Sequence, residues 1–250
     1  MESVIASPSS TGVAQPDSPL VDLSVDDDAI PSYLDVHYWW AYVHPNAVRV
    51  FERQWLANAI LWGNYARLRD AALIDLGPRL PGRTLQVACV YGDLTTRLCR
   101  RVAAGGGELD IVDILPVQLN NLRRKLPVHA PARLLRMDSA DLKLPDATYD
   151  RAIMFFLLHE QPESYRQRTV AELFRVVKPG GEIVIVDYAP PRWWNPIRYV
   201  LGPVLAALEP FARDLWHDDI TAWMPKPWSN RTHDRESFFG GLYQKIVVKR

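Results

Sequence analysis

The chain has 250 residues, 48% of them apolar, with 29 basic and 29 acidic side chains and a pI near 7.0. That length suffices for one full α/β domain with an appendage, and a zero net charge gives no global field for nucleic acid, so no nucleic-acid partner is expected. The two cysteines, Cys89 and Cys99, make no disulfide framework and suit a reducing, cytoplasmic compartment.

Residues 1–30 are rich in Ser, Pro and Asp and carry six acids (Glu2, Asp17, Asp22, Asp26, Asp27, Asp28) but no Lys or Arg. A secretory signal needs a basic start and a mitochondrial transit peptide is Arg-rich, so a disordered acidic leader is expected. No apolar run approaches the roughly 18–20 residues that cross a bilayer. An aromatic cluster follows: Tyr33, Tyr38, Trp39, Trp40 and Tyr42. His44-Pro45 opens a predicted long helix, because proline is tolerated in a first turn. Val48, Phe51, Trp55, Ala59, Trp62 and Ala66 recur within it at three- and four-residue spacing and predict one apolar face. Gly77-Pro78 ends that helix, so residues 31–80 read as a helical extension and 81–250 as the main domain.

From about residue 83 strands and helices alternate. Predicted strand 84–90 leads to helix 94–104, closed by Gly105-Gly106-Gly107, and strand 109–113 leads to helix 116–126. Strand 133–137 ends in Asp138-Ser139-Ala140-Asp141, and strand 149–158 carries His159-Glu160 at its end. Helix 163–177, the turn Lys178-Pro179-Gly180-Gly181 and strand 182–187 complete the rhythm. Short loops between such units imply an α/β, Rossmann-like, mostly parallel sheet with helices on both faces. Residues 189–232 break the pattern with prolines and five tryptophans and read as a lid, after which strand 243–249 should re-enter the sheet.

The order strand, turn at Tyr91-Gly92-Asp93, helix, strand and terminal acid Asp113 is how α/β proteins bind the adenosine end of a cofactor. Ala88, Val90 and Tyr91 stand where small residues usually let the backbone approach the ligand, while Gly92 still permits a tight turn. Asp113 is by position the acceptor for the ribose hydroxyls, or else the cap of the following helix. Asp93 reads as a helix N-cap, or as a group addressing a ligand amine or a metal. His159-Glu160 lies at the carboxyl edge, where open α/β sheets place ligands. Imidazole plus carboxylate suits a manganese-type ion, with Asp187 and Asp218 or Asp219 as further ligands; His159 reads alternatively as a base or a structural histidine.

Together these landmarks resemble the class I S-adenosylmethionine (SAM) dependent methyltransferases over roughly residues 80–190 plus the final strand. The segment 142–150 and the turn 178–181 resemble the quinone-ring methyltransferases of that group. A narrower resemblance rests on YWWAYVHPNAVRVFERQWL (38–56), QVACVYGDLT (86–95) and FFLLHEQP (155–162), which are similar to the rhodoquinone biosynthesis protein family. That resemblance implies replacement of a ring methoxy of ubiquinone by an amino group, with SAM as nitrogen donor and manganese (Mn2+) required. A methyltransferase acting on a quinone or other lipophilic acceptor is the alternative, and a non-catalytic SAM- or quinone-binding accessory protein is the second.

The resemblance also implies site roles. Gln86 stands where such methyltransferases carry an acid that holds the ammonium of SAM; a neutral Gln86 would favour the free amine, or is simply a tolerated polar residue. Asp138, followed by Ser139, corresponds to the adenine contact. The expected cofactor set is therefore Gln86, Ala88, Tyr91, Gly92, Asp93, Asp113, Ile114, Asp138, Ser139 and Phe155. The expected catalytic set is His159, Glu160, Tyr91 and Asp187, with manganese on His159, Glu160 and Asp187.

All nine tryptophans lie outside residues 63–192. Trp and Tyr favour the headgroup boundary of a bilayer, where ubiquinone resides, and Arg192 and Arg198 beside Trp193-Trp194 suit an anionic surface. A peripheral association with the bacterial inner membrane is expected on that reading; the plainer one is that the tryptophans pack the lid onto the sheet.

Overall fold

A computed structural model describes residues 21–22, 30–37, 53–208, 211–226, 228–230 and 233–250. Tyr38, Trp39, Trp40, Tyr42, the His44-Pro45 helix start, Val48 and Phe51 lie outside the described residues, as does most of the acidic leader.

Ahead of the main sheet come β1 (Val21–Asp22), α1 (Ser32–His37), α2 (Gln54–Ile60) and α3 (Tyr65–Leu76). The alternating core then runs β2 (Arg83–Val87), α4 (Leu94–Gly105), β3 (Glu108–Asp113), α5 (Pro116–Lys125), β4 (Ala132–Arg136), β5 (Tyr149–Phe155), α6 (Glu163–Val176) and β6 (Val177–Tyr188). After it follow α7 (Ile197–Leu208), several short 3₁₀ turns, β7 (Asp234–Phe238) and β8 (Tyr243–Lys249).

The eight strands form one sheet in the order β1-β4-β3-β2-β5-β6-β8-β7. All pairings from β1 to β6 are parallel, and β8 runs antiparallel to β6 and β7. Ile183, Val184, Ile185 and Val186 are wholly buried, as expected for a parallel strand covered by helices on both faces. The chain moves one way from β2 through β3 to β4 and the other way through β5 to β6. The topological switch therefore lies between β2 and β5, and a ligand crevice belongs at the carboxyl ends of those strands.

Two departures from the sequence reading concern the first third of the chain. Residues 53–76 are not one helix. The chain breaks at Trp62 (φ 52°) and Gly63 (φ 78°), and the Asn64 amide donates to Leu61 O (3.1 Å) and Trp62 O (3.0 Å), closing the end of α2. The predicted apolar face is also the wrong one: Trp55, Ala59, Trp62 and Ala66 are exposed, while Ala57, Leu61, Tyr65, Leu68 and Ala72 pack inward. Val21–Asp22, within the stretch read as structureless, pairs with Leu134–Leu135 at the sheet edge. Strand β7 was not foreseen, because Asp-Arg-Glu-Ser has no apolar alternation; its charges suit an exposed edge.

Candidate functional site

Five stretches of chain line a cleft at the switch point. The end of β2 supplies Ala88 and Cys89; the end of β3 supplies Asp113, Ile114 and Leu115, with Gln118 from α5. Met137, Asp138 and Ser139 follow β4, and Phe156, Leu157, Glu160 and Gln161 follow β5. The last wall is Tyr33 and Leu34 of α1, which comes from outside the alternating core.

The backbone is strained on both sides of this cleft. Ala88 (φ 69°) and Phe156 (φ 55°) are left-handed without being glycine, a conformation costing about 1–3 kcal/mol where the surroundings enforce it. The surroundings are visible. Ala88 N donates to Val112 O (2.8 Å), its carbonyl accepts from Gln86 Nε2 (2.9 Å), and Phe156 N donates to Val186 O (2.7 Å). Gln86 itself is fully buried, and its amide also donates to Thr95 Oγ1 (2.9 Å). It thus shapes the loop from beneath, off the cleft lining.

Asp113 joins two loops. Its carboxylate accepts from Cys89 N (2.7 Å) and Leu115 N (2.8 Å). Burial raises its pKa to about 6, against the lowering effect of those two N–H groups. Asp138 accepts from Ala140 N (2.8 Å), and Ser139 Oγ receives the Gln161 amide (2.9 Å) and lies 3.1 Å from Thr169 Oγ1. The Tyr33 hydroxyl is hydrogen-bonded to Gln161; burial, with the Glu160 and Asp138 carboxylates nearby, holds its pKa well above the usual tyrosine value. Its ring meets Tyr165 edge-on (5.0 Å), and Leu34 packs on Leu115.

Asp93 makes no side-chain cap to α4 and faces away from the cleft. Its oxygens take Arg69 Nη1 (2.6 Å) and Arg97 Nε (2.6 Å). Burial pushes its pKa up, but the hydrogen bonds from Arg97 and Arg69 prevail and hold it below the carboxylate norm. The cap comes instead from Tyr65, whose hydroxyl oxygen accepts from Asp93 N (2.9 Å) and Leu94 N (3.0 Å). Gly92 (φ 85°) is required by that contact, since a Cβ there would sit 2.5 Å from the Tyr65 oxygen. Tyr91 turns over α5, its hydroxyl accepting from Gln118 Nε2 (2.8 Å).

His159 and Asp187 sit behind the cleft. His159 Nδ1 lies 3.0 Å from Asp187 Oδ1, which also accepts from Tyr188 N (2.8 Å), while Oδ2 accepts from Leu158 N (2.8 Å). His159 Nε2 is 3.7 Å from Glu160 Oε1. This set does not fit manganese: both Asp187 oxygens are committed to donors, and the imidazole is held by one of them. Among the described residues no group of three His, Cys, Asp or Glu side chains is arranged to take a metal. His217 and Asp218 are exposed, and Asp219 caps Thr221 and pairs with Arg235 (2.6 Å).

The cleft thus gathers Ala88, Asp113, Ile114, Asp138, Ser139 and Glu160, and leaves Gln86, Tyr91, Gly92, Asp93, Phe155, His159 and Asp187 off its lining. Phe155 is 2% exposed and points into the core; its neighbour Phe156 lines the cleft in its place. The sequence reading missed Tyr33 and Leu34 as a wall, and Tyr65 and Arg69 as supports for the glycine turn. Tyr33 stood in the aromatic cluster, the one signal available.

A parallel sheet with its crevice at this switch point, acids ending β3 and β4, and an antiparallel last strand is the class I SAM-dependent methyltransferase fold. Residues 84–181 match the methyltransferase domain family. The ubiquinone/menaquinone biosynthesis C-methyltransferase of Stutzerimonas stutzeri is 31% identical over 140 residues, covering 54% of this chain and 54% of that protein. A phosphatidylethanolamine N-methyltransferase of Cereibacter sphaeroides is 34% identical over 143 residues, covering 56% of this chain and 64% of its own. The chain therefore spans about half to two-thirds of the length of these relatives. Human N-acetylserotonin methyltransferase, solved with SAM, superposes with a TM-score of 0.59 over 88% of this chain and 60% of its own at 14% identity, a likeness of fold.

Proposed function

We propose that the chain is a SAM-dependent methyltransferase acting on a quinone-like or other lipophilic acceptor. The observation that carries this reading is the cleft itself, with acids at the ends of adjacent strands β3 and β4 and apolar side chains between them. A carboxylate at Asp113 matches the vicinal ribose hydroxyls, Asp138 and Ser139 offer polar contacts to adenine, and Ile114 and Phe156 offer flat apolar cover. SAM, when bound, supplies a methyl group activated on sulfur. The relatives named for quinones and for phosphatidylethanolamine support a lipophilic acceptor.

Methylation of a quinol ring releases a proton. Glu160 is the group placed to take it: it lines the cleft and is backed by the His159–Asp187 pair. General bases of this kind contribute about 10²–10⁴ in rate, so Glu160→Gln is expected to lower turnover by about 100-fold or more while leaving cofactor affinity intact.

Amination of the ring is the second reading, and its support is one feature. The carboxylate nearest the glycine turn, Asp93, is already held by two guanidiniums, and Gln86 brings no charge. One experiment tests both. The protein is incubated with SAM, a manganese salt and short-tailed quinone and quinol acceptors, and the product mass is taken. Methyl gain supports the first reading, methoxy-to-amino exchange the second, and an unchanged acceptor sinks both.

A further inference from the structure

A helix packed on the outside of a water-soluble fold normally shows water a polar face. α7 does not. Leu201 and Leu205 are buried, yet Tyr199, Val200 and Val204 are 72%, 56% and 43% exposed. The preceding loop adds Trp193 and Trp194, 80% and 54% exposed. That loop is anchored: Arg192 N donates to Gly240 O (3.1 Å), and the buried Asn195 amide donates to Phe239 O (3.0 Å) and Gly240 O (3.3 Å). Asn195 Oδ1 then accepts from Ile197 N (3.1 Å), starting α7. The Phe239–Gly241 corner precedes Tyr243, which pairs with Tyr188 at the carboxyl end of β6. Two exposed indoles are therefore held at the sheet edge that carries the cleft.

The charge pattern selects the occupant. Residues 189–208 contain Arg192 and Arg198 and no acid. The guanidiniums lie 6.0 Å from the Trp194 ring centre and 5.7 Å from that of Tyr199, respectively. A two-fold contact with a second copy would set this cationic patch against itself. Aromatic rings that share an edge with guanidiniums match the headgroup layer of an anionic bilayer. At 12 residues α7 is about 18 Å long, and no helix among the described residues is long and apolar enough to cross a membrane. Its geometry suits lying in the interface plane.

We propose that Trp193, Trp194 and the exposed face of α7 form a docking surface for an anionic lipid bilayer. The assignment does not rest on methyl transfer, because membrane binding is read without turnover. The full chain is floated with vesicles of phosphatidylcholine alone, or with about one-third phosphatidylglycerol added. It is expected to rise with the anionic vesicles and far less with the neutral ones. Trp193→Ser/Trp194→Ser should lower the bound fraction about tenfold or more. Val200→Glu/Val204→Glu, at two exposed positions, should do the same with circular dichroism unchanged. Failure to float with either vesicle, or equal flotation of the variants, overturns the proposal. So does sedimentation showing a dimer that the Val200→Glu/Val204→Glu change dissociates, which would give the face to a second copy.

Discussion

Asp113 shows how one side chain serves folding and binding with opposite pH slopes. Its carboxylate has roughly four acceptor sites, two of which are taken by Cys89 N and Leu115 N. Its folded pKa, about 6, lies above the ordinary value. The stability it contributes is therefore present below the unfolded pKa of about 4 and lost as pH rises through about 6. Ribose hydroxyls donate to the ionised form, so cofactor affinity should rise over that same window. Calorimetric titration with S-adenosylhomocysteine from pH 5 to 8 is expected to show this rise (about one pH unit either side of 6), and Asp113→Asn should flatten it and weaken binding by about 1.5–3 kcal/mol. An identical slope in the variant would remove Asp113 from the ribose. At this scale the sequence pointed to residues at or beyond strand ends that line the cleft: Asp113 ends β3, Asp138 follows β4, and Glu160 lies in a 3₁₀ turn after β5, which stops at Phe155 and not at 158. It was misleading one step further in. Gln86 and Phe155 lie on strands whose side chains alternate between the two faces, and both are buried and off the cleft they were expected to line.

Elements are positioned here by groups distant in sequence. The amino end of α4, where nucleotide-binding folds usually offer free N–H groups to an anion, is already capped by the Tyr65 hydroxyl from α3. Removing that oxygen leaves two N–H groups without their partner beside a buried Leu94. Tyr65→Phe should cost about 1–3 kcal/mol, read as a lower urea midpoint with unchanged slope; an unchanged midpoint would show that water replaces the cap. The strands and helices from 83 to 188 were legible to within a few residues, because their apolar runs and glycine punctuation agree with each other. The break at Trp62-Gly63 was not. The spacing of Trp55, Ala59, Trp62 and Ala66 suggested one continuous helix, and that spacing marks the exposed side, while the break is set by Gly63 and the Asn64 amide.

Across the molecule, the cleft is closed by a segment that precedes the matched domain. Tyr33 and Leu34 form its last wall, yet α1 adds little to the main core, packing in a small cluster with Ile30, Ile114, Leu115, Val117 and Phe211. Tyr33→Ala/Leu34→Ala is therefore expected to speed cofactor release several-fold, in stopped-flow displacement, while shifting the melting midpoint by less than about 3 °C. Equal release rates would make α1 a bystander. The Trp-rich segment also divides in a way composition could not show. Trp216, Trp223 and Trp228 pack into the body, and Trp193 and Trp194 face outward. What pins the packed part is Arg166, fully buried, whose guanidinium donates to Leu158 O (2.8 Å) and to Phe211 O, lies 3.3 Å from Asp214 and rests on the Trp223 ring. One cation thus ties the loop after β5 to the segment after α7. Excising that segment would strand an internal charge, at a cost of about 3–5 kcal/mol. The segment therefore cannot be cut away piecemeal: whatever loosens it also loosens the loop that frames the cleft.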